Sequence, residues 1–338
     1  MNITVLGAGT WGTALAILLA GNQHQVTLWS KIKAETEALA SDRKQIKNLP
    51  GAELPASVLL TDDLKAALEK PELVVFAVAS VFVRETAKQV AALLEPGTVI
   101  VNVAKGIEEA TLKTLTEVIQ EEIPHADVAV LSGPSHAEEV SRRIPTTIVA
   151  GATTRKTAEL IQDTFMNEYF RVYTSPDVIG IELGGSLKNV IALAAGVVDG
   201  LGFGDNTKAA LMTRGIAEIS RLGTKMGGKY ETFAGLSGMG DLMVTCTSLH
   251  SRNRNAGYLI GQGKTPEEAM KEVNQVVEGV YSARAALLLA QKYGVEMPIV
   301  EQVNQVLFQK KSAREALSEL LVRDKTEEHH SFLWPEET

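Results

Sequence analysis

The chain has 338 residues and a single cysteine, Cys246, so no disulfide can form within it. Small secreted domains depend on several disulfides, whereas a near absence of cysteine is typical of a reducing compartment. We therefore predict a cytoplasmic protein. A lone cysteine can act as a nucleophile, but unpaired cysteines are more often buried packing residues, which is the role that we favour for Cys246.

No basic stretch followed by an apolar run opens the sequence, which enters a predicted strand at once, so we expect no secretory signal. The longest apolar stretch, residues 190–202, is shorter than the roughly 20 residues that span a bilayer. It indicates a buried helix, and we expect no membrane insertion. The absence of a repeat of about 20 to 50 residues argues against solenoids and propellers.

Positive charge is in the minority, since 33 lysines and arginines face 41 acidic residues and the formal net charge is −8. Such a chain is poorly suited to coating nucleic acid or anionic membrane, and we expect neither as a partner. Local basic sites for a small phosphorylated molecule remain compatible with this charge. With 45% hydrophobic and 22% charged residues the composition is that of a globular protein, and the length suggests about two domains.

Metal-ligand clusters are also lacking. The sequence contains six histidines, namely His24, His125, His136, His250, His329 and His330. None of them shows the spacing typical of a zinc or iron site, so we predict no metal.

Short β-rich runs alternate with helical patterns in the first half of the chain. The predicted strands are residues 2–6, 25–29, 73–78, 98–103, 128–131, 146–150 and 170–173. Several are nearly continuous apolar runs with helical segments between them, which predicts an α/β domain whose parallel sheet is covered on both faces.

Helical periodicity replaces this pattern after about Pro176. The predicted helices are residues 179–198, 208–222, 266–273, 282–293 and 298–308. Thr265 followed by Pro266 and two acids is a helix start with an N-cap and a favourable dipole interaction. We place the domain boundary near residue 180, with a dinucleotide-binding domain over 1–180 and an all-helical domain over 181–338. The polar tail from Asp324 is expected to be loosely held.

Three glycines at the start of the chain point to a cofactor. Gly7, Gly9 and Gly12 have G-x-G-x-x-G spacing between the first strand and the first helix. The first glycine permits a tight turn, the second lets a pyrophosphate approach the backbone, and the third lets the helix pack on the strand. The helix N-terminus supplies free N–H groups and partial positive charge. In this context the motif predicts a dinucleotide site; out of context it could be a turn without a ligand.

The end of the second strand bears on the choice of cofactor. NAD sites usually place an acid there to hold the ribose 2′-hydroxyl. Here the strand is followed by Ser30, Lys31, Ile32 and Lys33, and the first acid, Glu35, is expected to lie too far along. We predict that NADPH is preferred or at least well accepted. Alternatively, both lysines are ordinary solvated side chains.

Two segments follow predicted strands and so lie at the carboxyl edge of the sheet, where ligands bind in open α/β sheets. Lys105-Gly106 follows residues 98–103, and its lysine could hold a carbonyl or phosphate oxygen. Residues 133–137, Gly-Pro-Ser-His-Ala, follow 128–131 and offer backbone N–H groups and a hydroxyl. Taken alone, each segment could equally be turn chemistry.

Polar residues in the helical half suggest acid–base and phosphate chemistry. Lys188 and Asn189 interrupt an apolar helix, where a lysine is costly unless paired and its pKa falls readily. It could instead extend to solvent at the helix edge. Asp241 is expected in a glycine-bounded turn. Residues 251–254, Ser-Arg-Asn-Arg, combine a hydroxyl, an amide and guanidinium groups suited to phosphate, or form a basic surface loop.

Taken together, these segments resemble the bacterial NAD(P)-dependent glycerol-3-phosphate dehydrogenases. The matching segments are residues 7–16, 105–108, 133–137, 188–192, 204–207, 213–215, 235–242 and 251–253. They occur in the family's order and span most of the chain, so the set is far more specific than any one motif.

The resemblance implies a doubly wound Rossmann-type domain followed by an all-helical domain, with catalysis between them. It implies reversible NAD(P)H-dependent reduction of dihydroxyacetone phosphate to sn-glycerol 3-phosphate, supplying glycerophospholipid synthesis. Lys188 would be the catalytic proton donor or acceptor. The implied substrate-binding residues are Lys105, Gly133, Ser135, Lys188, Asn189, Asp241, Thr245, Ser251, Arg252 and Asn253. The implied cofactor-binding residues are Gly7, Gly9, Thr10, Trp11, Gly12, Lys31, Lys105, Ala137, Arg252, Val276 and Glu278.

Two positions depart from the family pattern, since Ala79 stands where a proline is expected and His136 where a phenylalanine is common. Neither change removes a reacting group. A related dehydrogenase acting on a keto acid is the nearest alternative, because an arginine binds carboxylate as well as phosphate. A nucleotide sensor without catalysis is a further one. The apolar helices could pack within one chain or between two, which leaves a homodimer open.

Overall fold

The computed structural model of the chain describes residues 1–44, 49–325 and 327–328. Its eight strands are β1 (Asn2–Leu6), β2 (Gln25–Trp29), β3 (Leu59–Thr61), β4 (Leu73–Phe76), β5 (Val99–Asn102), β6 (Asp127–Ser132), β7 (Thr146–Ala152) and β8 (Phe170–Ser175). The seven predicted strands are confirmed to within two residues at each end. The prediction missed β3, which is three residues long and largely accessible, so it carries little hydrophobic pattern.

Seven helices connect or flank these strands. They are α1 (Thr10–Gly21), α2 (Lys33–Asp42), α3 (Leu64–Ala67), α4 (Val83–Ala91), α5 (Leu115–Glu122), α6 (Ala137–Val140) and α7 (Arg155–Phe165). A 3-10 turn, Ser80–Phe82, precedes α4. Neighbouring residues of a strand pack on opposite layers: Leu73 and Val75 join the layer of α1 and α7, whereas Val74 and Phe76 join that of α4 and α5. The predicted coverage of both faces is therefore confirmed. Each fully buried valine, leucine, isoleucine or phenylalanine in these layers contributes about 1.5–3 kcal/mol to stability.

The eight strands form one sheet in the order β3-β2-β1-β4-β5-β6-β7-β8. The strands from β3 to β6 are parallel, and the order reverses between β1 and β4. Such a reversal opens a crevice at the carboxyl ends of the strands, where doubly wound sheets bind dinucleotides. The predicted parallel sheet is confirmed except at one pair of strands, since β7 is antiparallel to β6. The β6–β7 connection turns back at one edge through α6 without crossing the sheet.

The second half of the structure is helical. Its helices are α8 (Val178–Gly200), α9 (Asp205–Lys225), α10 (Tyr230–Ala234), α11 (Asp241–Thr247), α12 (Arg252–Gly261), α13 (Pro266–Val273), α14 (Glu278–Tyr293), α15 (Pro298–Phe308) and α16 (Ala313–Leu321). The five predicted helices are confirmed, and the four missed ones are mostly short. Thr265 caps α13 through a complete capping box, as predicted. The tail beyond Asp324 falls almost entirely outside the described residues.

Helix α8 is the core of this half. Among the described helices it alone is long and apolar enough to cross a membrane, and 83% of its most apolar window is buried inside the protein. It packs against α9, α11, α12 and α14, and also against β6 and β7. Because α8 contacts both halves, the domain boundary near residue 180 stays a prediction, although strands give way to helices between Ser175 and Val178.

Glycines let α8 and α12 touch along their backbones. A Cβ on Gly196 would lie 1.9 Å from the carbonyl oxygen of Arg254, and one on Gly257 would lie 1.9 Å from that of Leu193. No other residue fits such a crossing without separating the helices. The contact brings the start of α12 beside the middle of α8, where the polar residues of the predicted site lie.

Candidate active site

The glycine turn lies at the crevice where the strand order reverses. Gly7 has φ +115°, and a Cβ there would lie 2.8 Å from the carbonyl oxygen of Ala77, just after β4. A Cβ on Gly12 would lie 1.9 Å from the carbonyl oxygen of Gly7, so α1 packs directly on the turn. In contrast, a Cβ on Gly9 would meet no atom of the described residues within 4 Å. This open space above a tightly closed turn fits a pyrophosphate of NAD(P).

The start of α1 supports the same ligand. Its N-cap, Gly9, has no side chain to occupy the first N–H groups, and the first turn holds no acid. Those N–H groups and the positive end of the dipole remain suited to an anion. Trp11 and Ala137 pack around Ala14 in one small apolar cluster, which places two of the predicted cofactor residues together.

At the end of β2 the structure corrects one expectation. Glu35 lies in the first turn of α2, and its Oε2 accepts a hydrogen bond of 2.6 Å from the buried Ser30 hydroxyl. The prediction that this acid lies too far along the chain is therefore wrong. Lys31 is exposed, and none of the described residues gives its side chain a partner; Lys33 faces Glu37 at 3.7 Å.

Lys188 is buried on α8, 5% exposed, and contacts two residues of α11. Its Nζ donates to Oδ1 of Asp241 at 2.7 Å and to Oγ1 of Thr245 at 2.5 Å. A lysine extended to solvent is thereby excluded. Asp241 was predicted in a glycine-bounded turn, but it is the first residue of α11 and follows a π-helical turn over Leu236–Gly240.

Electrostatics at this lysine suit proton transfer. Burial lowers the pKa of Lys188 to about 8, assisted by the charge of Lys105 and opposed by Asp241. Burial alone would raise the pKa of Asp241, but the two lysines outweigh it and hold that pKa below its ordinary value. Asp241 is thus a carboxylate between two ammonium groups, and Lys188 can change its protonation near neutral pH.

Lys105 connects this pair to the rim of the sheet. Its Nζ donates to Oδ2 of Asp241 at 2.6 Å and to the carbonyl oxygen of Gly133 at 3.0 Å. The same carbonyl accepts the Ser135 hydroxyl at 2.9 Å. The Lys105-Gly106 and 133–137 segments are therefore more than structural turns, because a hydrogen-bond network across the cleft joins both of them to Lys188.

A second network begins at the residue after Lys188. Asn253 of α12 donates from Nδ2 to Oδ1 of Asn189 at 2.9 Å, and its own Oδ1 accepts the backbone N–H of Gly279 at 2.8 Å. Neighbouring Glu278 accepts the Ser80 hydroxyl at 2.5 Å and the Ser80 N–H at 3.2 Å. Burial raises the pKa of Glu278. Val276 is half-buried in the segment before α14.

Arg252 is the first residue of α12, directly after the Ser251 N-cap, whose hydroxyl accepts the Arg254 N–H at 3.2 Å. The Arg252 side chain is exposed and pairs with none of the described residues, whereas Arg254 is held by Asp199 at 2.6 Å. Of these two arginines, only Arg252 has a guanidinium ready for an anion.

Two residues of the cleft escaped sequence reasoning. Ser80 joins the loop after β4 to Glu278, and nothing in its own sequence context marks it. Glu182 is buried on α8 and accepts the Thr116 N–H at 2.9 Å, so it ties the helical half to the start of α5. Burial raises its pKa. The signal that could have revealed it is a carboxylate within an apolar helical run.

Cys246 is buried and His136 is half-buried, and both lie near Lys188. Burial raises the pKa of the Cys246 thiol to about 12, which agrees with packing and excludes an activated nucleophile. Burial, with help from Lys188, lowers the pKa of His136 to about 4, so this imidazole is neutral at physiological pH. Its Nε2 has no hydrogen-bond partner in the described part of the chain. Among the described residues no cluster of metal-ligating side chains occurs.

Two family models together match most of the chain. Residues 2–158 match the family model of the N-terminus of NAD-dependent glycerol-3-phosphate dehydrogenase, and residues 177–318 match the model of its C-terminus. The chain belongs to this family.

Curated relatives cover nearly the whole chain. A glycerol-3-phosphate dehydrogenase [NAD(P)+] of Agathobacter rectalis is 61% identical over 332 residues, 98% of this chain and 99% of the relative. One from Fusobacterium nucleatum is 56% identical over 334 residues, 98% and 100% of the two chains. The crystal structure of the Coxiella burnetii glycerol-3-phosphate dehydrogenase is 38% identical, covers 95% of this chain and 99% of its own, and superposes with a TM-score of 0.92.

Membership confirms the family resemblance and the order of the domains. Within the family pattern, Ala79 is the N-cap of the 3-10 turn that presents Ser80, so the missing proline leaves that turn intact. His136 caps α6 in the same way. The roles of individual site residues remain predictions, to which the geometry above now gives physical grounds.

Proposed function

We propose that the chain catalyses the reversible reduction of dihydroxyacetone phosphate to sn-glycerol 3-phosphate with NADPH or NADH. The observation that carries the proposal is the buried contact of Lys188 with Asp241 and Thr245, in a member of the dehydrogenase family. The relatives' names give both NAD and NADP as cofactors, and the open space above Gly9 fits either.

The chemistry needs a proton at the ketone oxygen. NAD(P)H, when bound, supplies a hydride to the ketone carbon. Protonated Lys188 stabilises the developing alkoxide and donates its proton to that oxygen; in the reverse direction the neutral amine takes the proton from the alcohol. Asp241 and Thr245 hold the Lys188 ammonium in place. The role proposed for Lys105 and Asn189 is to hold the substrate oxygen; their contacts with Asp241 and Asn253 support it by tying both side chains to this site.

The phosphate end of the substrate is assigned to the start of α12. Arg252 offers a planar fork of N–H donors that matches phosphate oxygens, and the helix N-terminus adds partial positive charge. Asn253 and Ser251 complete this end, and Gly133 with Ser135 lines the pocket wall. Fixing the phosphate orients the carbonyl toward Lys188.

The cofactor is assigned to the crevice between β1 and β4. Gly7, Gly9 and Gly12 with the start of α1 would hold the pyrophosphate. The remaining cofactor contacts are proposed for Thr10, Trp11, Lys31, Lys105, Ala137, Arg252, Val276 and Glu278. The Glu278–Ser80 contact supports this, because it brings the helical half against the loop after β4.

A substrate panel tests the proposal. We expect rapid NADPH oxidation with dihydroxyacetone phosphate and at least about a hundredfold lower kcat/KM with 2- and 3-keto acids, because a dianionic phosphate uses the Arg252 end more fully than a carboxylate does. Preference for a keto acid would favour the related hydroxyacid dehydrogenases. Cofactor binding without turnover of any substrate would favour a nucleotide sensor.

Proton transfer by Lys188 predicts opposite pH profiles for the two directions. Since its pKa is lowered to about 8, the protonated form needed for reduction is lost above that pH. We expect kcat/KM for dihydroxyacetone phosphate to fall about tenfold per pH unit above pH 8, and glycerol 3-phosphate oxidation to rise through pH 8 to a plateau. Initial rates from pH 7 to 10 measure both. Flat profiles in both directions would argue against this proton donor.

The cellular setting extends the same proposal. The single buried cysteine fits a cytoplasmic enzyme, and the product is a precursor for glycerophospholipid synthesis in this family. A homodimer through the helical half is a further proposal, which sedimentation of the purified chain would test.

A further inference from the structure

The end of β2 lies directly beside the glycine turn. The carbonyl oxygen of Trp29, the last residue of β2, accepts the Gly7 N–H at 2.8 Å. In dinucleotide-binding sheets of this order, the adenosine ribose lies over the end of this strand, so its 2′ substituent meets whatever follows. Here those residues are Ser30 and Lys31, together with any side chain of α2 that reaches the end of the strand.

Helix α2 returns a carboxylate to this point. Because α2 begins at Lys33, Glu35 falls in its first turn and points back to the strand end. The buried Ser30 hydroxyl donates to Oε2 of Glu35 at 2.6 Å, and the Ile32 N–H donates to that hydroxyl at 3.1 Å. Ser30 is therefore fixed on both sides and positions Glu35. A carboxylate has about four acceptor sites, so Glu35 can accept a further hydrogen bond.

A lysine of opposite charge stands at the same point. Lys31 is exposed, and no described residue pairs with its ammonium group. Lys33 differs, since it faces Glu37 on the outer side of α2. One unpaired cation and one positioned anion thus flank the expected ribose.

We propose that Glu35 and Lys31 are opposed determinants of cofactor selectivity at the adenosine ribose, with Ser30 as the positioning residue for Glu35. Glu35 accepts a hydrogen bond from the free 2′-hydroxyl of NAD and repels the 2′-phosphate of NADP, and Lys31 attracts that phosphate. The opposition accounts for a site that takes both cofactors. The inference deepens the proposed cofactor site and does not depend on which ketone is reduced.

Calorimetric titration of the purified chain tests this proposal, because it measures the affinity for each probe without requiring turnover. The probes are adenosine 2′,5′-bisphosphate and AMP, which differ only in the 2′-phosphate, followed by NADPH and NADH. E35Q keeps the size of the side chain and removes its charge. We expect it to raise the preference for the 2′-phosphorylated probe by roughly three- to tenfold, the modest size reflecting solvent screening at an exposed site. K31A should lower the same preference by a similar factor.

Matched controls separate this effect from general charge. Glu37 is also exposed on α2 and, among the described residues, pairs with Lys33 alone. The control variant E37Q should leave the preference unchanged within twofold. S30A should raise the preference in the wild-type background but not in E35Q, because Ser30 acts through Glu35. Unfolding curves of each variant establish that it is folded.

Two outcomes overturn the inference: E35Q binds both probes with the wild-type ratio, or E37Q shifts the ratio as much as E35Q does. These outcomes are distinct from failure of the proposed function. A chain that shows the predicted selectivity yet fails to reduce dihydroxyacetone phosphate would refute the reaction and leave the selectivity assignment standing. Normal reduction of dihydroxyacetone phosphate together with an unchanged ratio of probe affinities in E35Q would support the reaction and refute the selectivity assignment.

Discussion

Replacement of Lys188 by methionine should lower kcat for dihydroxyacetone phosphate reduction by about three orders of magnitude, within the range expected for loss of a positioned general acid. Methionine fills the space of the lysine stem but can neither donate a proton nor stabilise an alkoxide. Affinity for NADPH should change by less than about threefold, because the lysine contacts Asp241 and Thr245 at the substrate end of the cleft. Steady-state rates and a calorimetric titration with NADPH measure the two quantities.

The fold should survive this change. Removing one partner of a buried ion pair commonly costs about 3–5 kcal/mol, because the other charge is left uncompensated. Here Asp241 keeps its 2.6 Å contact with Lys105, so the carboxylate remains paired and the loss should be smaller. Thermal unfolding of K188M measures it directly, and the kinetic result is interpreted only for folded protein.

Lys311 provides a matched control. It too pairs with a carboxylate, Glu319 at 2.5 Å, and only 12% of its side chain is exposed. It lies between α15 and α16 and contacts Gln305 and Glu319, neither of which is a proposed site residue. K311M should keep kcat within about twofold of wild type. If K188M turned over at a rate near that of K311M, Lys188 would not be the proton donor.

The parts of the fold and of the site that were predictable are those encoded locally. The glycine spacing specifies a turn and the start of α1, and Thr265 with Pro266 specifies the start of α13. Both could be predicted because capping and the restriction of φ act within a few residues. The strands could be located from apolar runs, because a strand buried on both faces is apolar along its whole length.

The parts that escaped prediction depend on where distant segments meet. Lys188 and Asp241 are brought together because α8 packs against α11. The residues around each of them do not indicate that the two side chains will meet. Glu35 was misplaced because counting along the chain ignores that one turn of helix returns residue 35 to the strand end. The direction of β7 depends on the route of a loop around the sheet edge, which periodicity does not record.

Substitution of Arg252 by alanine should raise the KM for dihydroxyacetone phosphate about a hundredfold, equivalent to about 2.7 kcal/mol, with a much smaller change in kcat. The reason is that this guanidinium pairs with none of the described residues and lies at the N-terminus of α12, where a phosphate gains both charge and N–H donors. R252K keeps the charge but loses the planar fork, so its KM for dihydroxyacetone phosphate should lie between those of wild type and R252A.

The sharpest readout compares two substrates that differ only in the phosphate. With saturating NADPH, wild type should strongly prefer dihydroxyacetone phosphate to dihydroxyacetone. R252A should lose most of that preference, because it weakens binding of the phosphorylated substrate far more than binding of dihydroxyacetone. Arg155 is the matched control, since it is likewise the exposed first residue of a helix after a hydroxyl N-cap, but on α7. R155A should leave both substrates unchanged. An unaltered preference in R252A would place the phosphate elsewhere in the cleft, and the Lys105–Gly133 rim would then be the next segment to test.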